Sequence, residues 1–393
     1  MASVYKRNGV WISSYRGTDG KWKAKSGGKD KVFALQQAVQ LETEARKVEA
    51  GFITESELQN QKAARLGIEE HLEAYAEHLA SKGNTTKHVA ITIERIKKII
   101  AGCGFTNLSS IRAEKVTRWL SEQRQSETYH RRGITGMSIQ TSNYYVKCIK
   151  SFCRWCVNTD RVTKSPVDLI QCQNTQSDRR HDRKPLSDDE LARLIAAAAK
   201  GDSYRGVSGK DRAILYRVAS QTGLRAREIS TVTVDSFDLD KKVVTVQAAY
   251  TKNRKQAQLP LRDDLVVELR EHFKGKNQAD KAFAMPCIDN VSDLLAFDLE
   301  AARQQWIKES KTEKERQIRN DSDYLKYRSR DGRYSDFHSL RHRYITSLVN
   351  SGANPKIAQM LARHSDIRLT LQLYTHADQD SLAAAVNALP GIR

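Results

Sequence analysis

Cysteine is scarce in this chain: six in 393 residues, too few and too scattered for a disulfide framework. Cys153 and Cys156 form a lone CxxC within YYVKCIKSFCRWCVN. No second Cys or His pair stands at ligand spacing, so a zinc site is not expected. The helical apolar pattern around the two reads them as packing residues. No apolar run approaches the ~20 residues that span a bilayer, so no membrane partner is expected. MASVYKRNGVW starts basic but has no apolar stretch behind it, which argues against a secretory signal and leaves a cytoplasmic protein as the expectation. Acidic residues are also in deficit. Asp plus Glu number 47 against 66 Lys plus Arg, a net charge of +19. A surplus of that size points to a polyanionic partner, nucleic acid first among them.

The length calls for two or three domains. Residues 1–60 carry a basic, alternating stretch, VYKRNGVWISSYRGTDGKWKAK, punctuated by Asn8-Gly9 and Asp19-Gly20. These are hairpin signals, and the helix-like ALQQAVQLETEARKVEAG follows. The expectation is a small sheet plus one helix. It could be a DNA-binding arm with Trp11, Tyr15 and Trp22 packing the sheet, or an ordinary solvated hairpin. Residues 66–172 read as four helices with short loops, a small bundle whose basic residues could face phosphates. Residues 173–185, QNTQSDRRHDRKP, are polar, basic and aperiodic, and read as a linker. Residues 186–393 open on a capping box, Ser187 with Glu190, and continue as helices around one small strand pair, KKVVTVQAAY and AQLPL. Within them 303–335 is dense in both charges and reads as an insertion-like or exposed segment. The fold class is thus mainly α and multidomain: an α+β N-terminal arm-like domain, a helical bundle, and a mainly helical third domain with a small antiparallel sheet.

Four segments carry candidate chemistry: TGLRAREIS, YTKNRKQAQLPL, DFHSLRHRYITS and ARHSDIRLTLQLYTH. Singly, each also has a structural reading. Arg225 could be a surface arginine after a glycine turn, and Lys252 a hairpin lysine. His338 and Arg341, three apart at a helix start, share a face. His364 could cap a helix, and Tyr374 could be a core tyrosine.

Together and in this order the segments resemble the tyrosine recombinase (phage integrase) family. The family pattern is Arg in TGLRxxE, Lys in a β-hairpin, HxxRH, a GHS-like segment, then Tyr before Thr-His. Arg225, Lys252, His338 with Arg341, His364 and Tyr374 fill it. The resemblance is strong over about 186–380. It is looser at 66–172, where it implies a core-binding DNA domain, and weakest at the N-terminal sheet, where it implies an arm-binding domain. One departure is Arg363, which stands where the family usually has glycine. Glycine there eases a tight turn. Arginine is expected to be tolerated without loss of activity, and could add a phosphate contact.

The resemblance implies a site-specific DNA recombinase working through a 3′-phosphotyrosine intermediate. Tyr374 would be the nucleophile, and Arg225 and Arg341 would hold the non-bridging phosphate oxygens with forked donors. Lys252 would be the general acid, with Lys255 as its rival. His338 would be the base or proton relay, and His364 a phosphate-positioning group. Glu228, one turn after Arg225, could orient Arg225 or His338, or be a plain helix residue. No cofactor and no metal are expected, since the cations do the metal's work. Expected partners are double-stranded DNA attachment sites, a homotetramer on two duplexes, and accessory DNA-bending proteins. The tail after Tyr374 could dock on a neighbouring protomer or pack on its own domain. The alternatives are a type IB topoisomerase-like enzyme, or a catalytically silent DNA-binding protein of the same fold. The basic N-terminal sheet tilts the reading towards integration or excision of a mobile element.

Overall fold

The computed structural model describes residues 1–64, 66–127, 130–131, 134–250, 255–372 and 387. The chain divides into two compact units, Met1–Arg179 and Arg180–Arg393. No helix among the described residues is long and apolar enough to cross a membrane.

The first unit opens with three antiparallel strands, β1 Ser3–Arg7, β2 Val10–Arg16 and β3 Trp22–Gly28. Asn8 and Gly9 both take positive φ (49° and 80°), as the tight β1–β2 turn requires. Helix α1, Lys31–Glu49, is capped by Asp30, whose carboxylate accepts from the Val32 amide at 2.8 Å. Its contact face is Ala34 and Ala38, fully buried, so helix and sheet approach closely. Gly27 is obligatory there, because a Cβ would sit 2.4 Å from that of Ala34.

The rest of the unit is helical: α2 Glu55–Ala64, α3 Ile68–Ser81, α4 Thr86–Cys103, α5 Ala113–Gln125, a short ribbon β4 His130–Arg131 with β5 Ile134–Thr135, and α6 Ile139–Asn158. Apolar residues at helical spacing bury Leu72, Tyr75, Ile96, Ile99, Ile149 and Phe152 in one core. Cys153 and Cys156 lie inside it, and burial pushes the Cys156 thiol up to about 12. They are packing residues, as the helical pattern suggested.

The second unit contains α7 Asp188–Lys200, α8 Gly209–Thr222, α9 Ala226–Ile229, the antiparallel sheet β6 Phe237–Asp238, β7 Val243–Val246 and β8 Ala257–Pro260, then α10 Asp263–His272, α11 Val291–Lys308, α12 Glu313–Asp321, α13 Phe337–Asn350, α14 Pro355–Ala362 and α15 Arg368–Leu371. The Ser187–Glu190 capping box forms as the spacing predicts. Arg212, fully buried on α8, forks onto Asp298 of α11 at 2.8 and 3.0 Å. Tyr216 donates to the same carboxylate at 2.7 Å. The pair is stable only because its remaining donors are also met, by the carbonyls of Asp202 and Val207.

Residues 303–335 are exposed only in part. Helix α12 carries no buried residue, but Arg303, Leu325, Ser329 and Ser335 are buried. Arg303 accounts for this: its guanidinium collects the carbonyls of Arg319, Asn320 and Tyr324 and folds the charged stretch onto α11. Residues 180–184 also belong to this unit's fabric, since the Lys184 amide bonds the Tyr334 carbonyl and the Tyr334 amide bonds that of Asp182.

Candidate active site

Arg225 follows the left-handed Gly223 (φ 62°) that ends α8. A Cβ at 223 would lie 2.4 Å from the Tyr344 ring, so both backbone and packing demand glycine. Arg225 stands as the N-cap residue of α9, its side chain 28% exposed. Its amide bonds Glu228 Oε2 at 2.8 Å and its Nη1 bonds Oε1 at 3.0 Å. Glu228 is buried. Burial raises its carboxyl pKa, but Arg363 and Arg225 outweigh that and hold the group below the ordinary carboxylate value.

Asp336 caps α13 through the Ser339 amide. His338 and Arg341 then fall in its first turns on one face. Arg341 is buried, with Nη1 donating to the Gly223 carbonyl and Nη2 to that of Ala362. One guanidinium thus ties the turn bearing Arg225 to the end of α14. Burial, then Arg225 and Arg363, push it down to about 9, still charged at neutral pH.

His338 packs edge-on to His342, ring centroids 5.3 Å apart. Burial, then Arg183 and His342, push His338 down to about 3, so it is neutral at physiological pH. Arg183 is there because its Nε bonds both Asp336 oxygens at 3.0 Å, beside His181 Nε2 at 2.8 Å. None of His181, Arg183 and Asp336 was a predicted site residue. Asp336, an acidic residue just before a helix start, was readable as a cap, but its partners about 150 residues away were not.

His364 follows α14. Its Nδ1 pairs with Thr370 Oγ1 at 2.9 Å, which leaves Nε2 without a hydrogen-bond partner among the described residues. Burial, then Arg341 and Arg225, push it down to about 4. Arg363 holds the left-handed backbone, φ 53° and ψ 44°, that glycine would adopt freely and that costs another residue ~1–2 kcal/mol. Its guanidinium is directed at Glu228 Oε2, 2.7 Å away.

Arg341 therefore lies within electrostatic reach of Arg225, His338 and His364, and Arg225 within reach of His364. Lys252 and Tyr374 lie outside the described residues, as does the tail after Tyr374. Lys255, the rival acid, is described and exposed. Among the described residues no group of three His, Cys, Asp or Glu could hold a metal ion. What the arrangement offers is a concentrated positive field with fixed guanidiniums, suited to an anion that gains charge during reaction.

The depressed histidines carry a stability prediction. A group whose folded pKa lies below its unfolded value, ~6.5 for His, contributes stability that is present above 6.5 and lost as pH falls towards the folded pKa. Between pH 7.5 and 5.5, His338 should remove about 1 kcal/mol. Urea unfolding at the two pH values should show His338→Gln losing correspondingly less than the unsubstituted protein. Equal losses would mean that folding does not lower the His338 pKa.

Residues 184–381 match the Phage integrase family. The transposase from transposon Tn916 of Enterococcus faecalis is 26% identical over 295 residues, 73% of this chain and 68% of that protein. Among solved structures, the Tn1549 transposon integrase in complex with transposon right end DNA superimposes with a TM-score of 0.58 at 18% identity, over 81% of this chain and 99% of that one. A lambda integrase dimer bound to a COC′ core site gives 0.56 at 16% identity, over 100% and 97%. At those identities the likeness is one of fold. With the profile match and the ordered motifs that carry Arg225, His338, Arg341 and His364, it establishes that the chain belongs to the phage integrase family of tyrosine recombinases.

Proposed function

We propose that this protein is a site-specific DNA recombinase that integrates or excises a mobile element through a phosphotyrosine intermediate. The observation that carries the reading is the convergence of Arg225 and Arg341, both pinned by other groups, with His338 and His364 beside them. A phosphodiester is already anionic and repels a nucleophile. Two forked cations neutralise its non-bridging oxygens and the charge that builds in the pentavalent transition state. The Tyr374 oxygen attacks phosphorus, the bond to the 5′ oxygen breaks, and Lys252 protonates the leaving oxygen. His338 takes or relays the tyrosine proton, and His364 steadies the phosphate. The free 5′ hydroxyl of another strand then attacks the phosphotyrosine, so bonds are exchanged without an energy source.

The same reading assigns duplex attachment sites as substrate, a homotetramer on two duplexes as the working assembly, DNA-bending proteins as helpers and the cytoplasm as the setting. The N-terminal sheet with α1 would bind arm sites, and the α3–α6 bundle would grip the core site. The transposon relatives favour a mobile element over chromosome upkeep.

The test is a nicked duplex built from the DNA flanking the gene, on which cleavage traps protein joined to DNA. The adduct should form at the same rate in EDTA as in Mg²⁺, because the arginines supply the positive charge. A strict Mg²⁺ requirement would count against this mechanism. Supercoil relaxation by monomers without site preference would turn the reading towards a topoisomerase.

A further inference from the structure

Arg363 occupies its position at a cost. Its backbone is held in the left-handed region, its side chain is only 8% exposed, and two of its donors, Nε and Nη1, are buried without a partner among the described residues. An unpaired buried donor costs free energy, and a strained non-glycine persists only where the surroundings compensate. The compensation visible here is a pair of contacts from a single nitrogen. Nη2 lies 2.7 Å from Glu228 Oε2 and 3.5 Å from the Gly223 carbonyl. Gly223 and Glu228 are the two ends of the turn that presents Arg225.

We infer that Arg363 is a positioning residue for strand cleavage, a strut that holds both ends of the Arg225 turn and shares the Glu228 carboxylate with it. The inference rests on the recombinase reading above. The sharing matters as much as the strut. Glu228 already bonds Arg225 through its amide and its Nη1. With Arg363 gone, the buried carboxylate would have Arg225 as its main counter-ion and would draw that guanidinium away from the phosphate. Arg363 takes up part of the carboxylate's charge, so Arg225 stays oriented yet available. The arginine replacing the family's usual glycine is then a built-in part of this chain's phosphate clamp.

The experiment compares the full-length protein with Arg363→Gly, Arg363→Asn and Arg363→Lys on the nicked duplex at saturating DNA. Glycine and asparagine both accept the left-handed backbone. They should slow adduct formation about 10- to 100-fold, the scale of a small misplacement of a reacting group. Gel-shift affinity and the unfolding midpoint should hold. Lysine keeps the charge and should restore part of the rate. Adding Arg363→Gly to Glu228→Gln should cost little beyond Glu228→Gln alone, as expected for residues acting as a unit. Wild-type rates in both small variants would overturn the inference while leaving the recombinase reading intact. So would a lowered unfolding midpoint in both, or a lysine variant no faster than glycine. If the unsubstituted protein forms no adduct on any duplex, the recombinase reading falls and the inference falls with it.

Discussion

Replacing Tyr374 with Phe is expected to abolish the covalent protein–DNA adduct while gel-shift affinity for the same duplex is unchanged. Phenylalanine keeps the ring and removes only the oxygen that attacks phosphorus. Loss of a covalent nucleophile is felt on a scale of more than about 10⁴-fold, with no residual route through the same intermediate. The control is Tyr344, a described tyrosine within electrostatic reach of Arg341 and Arg363. It packs against Gly223, and burial raises its pKa against the pull of Arg363 and Arg341. A buried phenol with a raised pKa is a poor nucleophile, so Tyr344→Phe should keep the adduct. An adduct that survives Tyr374→Phe and vanishes with Tyr344→Phe would transfer the role. Tyr374 lies outside the described residues, so its assignment rests on the motif order, and this pair of variants decides it.

Local chemistry was legible in the chain wherever a residue type has one conformational use. Asn8-Gly9 could only serve a tight turn, and Ser187 with Glu190 a helix start. The site was legible to the same depth. Gly223 announces the turn before Arg225, and the spacing of His338 and Arg341 places them on one helical face. The partners of those residues were not legible. Arg363 meets Glu228 across 135 positions, and Asp336 meets His181 and Arg183 across more than 150. Such contacts depend on how α8, α13 and α14 pack. Sequence periodicity gives only the face each helix buries, not what it is buried against. The charged stretch 303–335 shows the same limit, because Arg303 finds its carbonyl partners only once α12 has folded back.

Arg341 should be the most sensitive residue of the described site, and lysine should not replace it. Its guanidinium meets the carbonyls of Gly223 and Ala362, so it fixes the turn before Arg225 and the end of α14 that leads into Arg363 and His364. Arg341→Ala leaves both carbonyls without that donor. It should cost about 2–4 kcal/mol of stability and about 10³-fold in cleavage. Arg341→Lys separates geometry from charge. A lysine has no planar fork and cannot meet two carbonyls and a phosphate at fixed angles. It would also inherit the burial and the neighbouring Arg225 and Arg363 that push the arginine down to about 9. An ammonium starts about two units lower than a guanidinium, so the same push brings it to the neutral range. A group with a depressed pKa is charged below that pKa. The ratio of Arg341→Lys to unsubstituted cleavage should therefore be small everywhere and fall further as pH rises from 6 to 9. DNA affinity, measured alongside, should change far less than the cleavage rate. A lysine variant that cleaves like the unsubstituted protein at pH 9 would mean that the position needs only a nearby charge, and that the bridge between Gly223 and Ala362 is incidental to the chemistry.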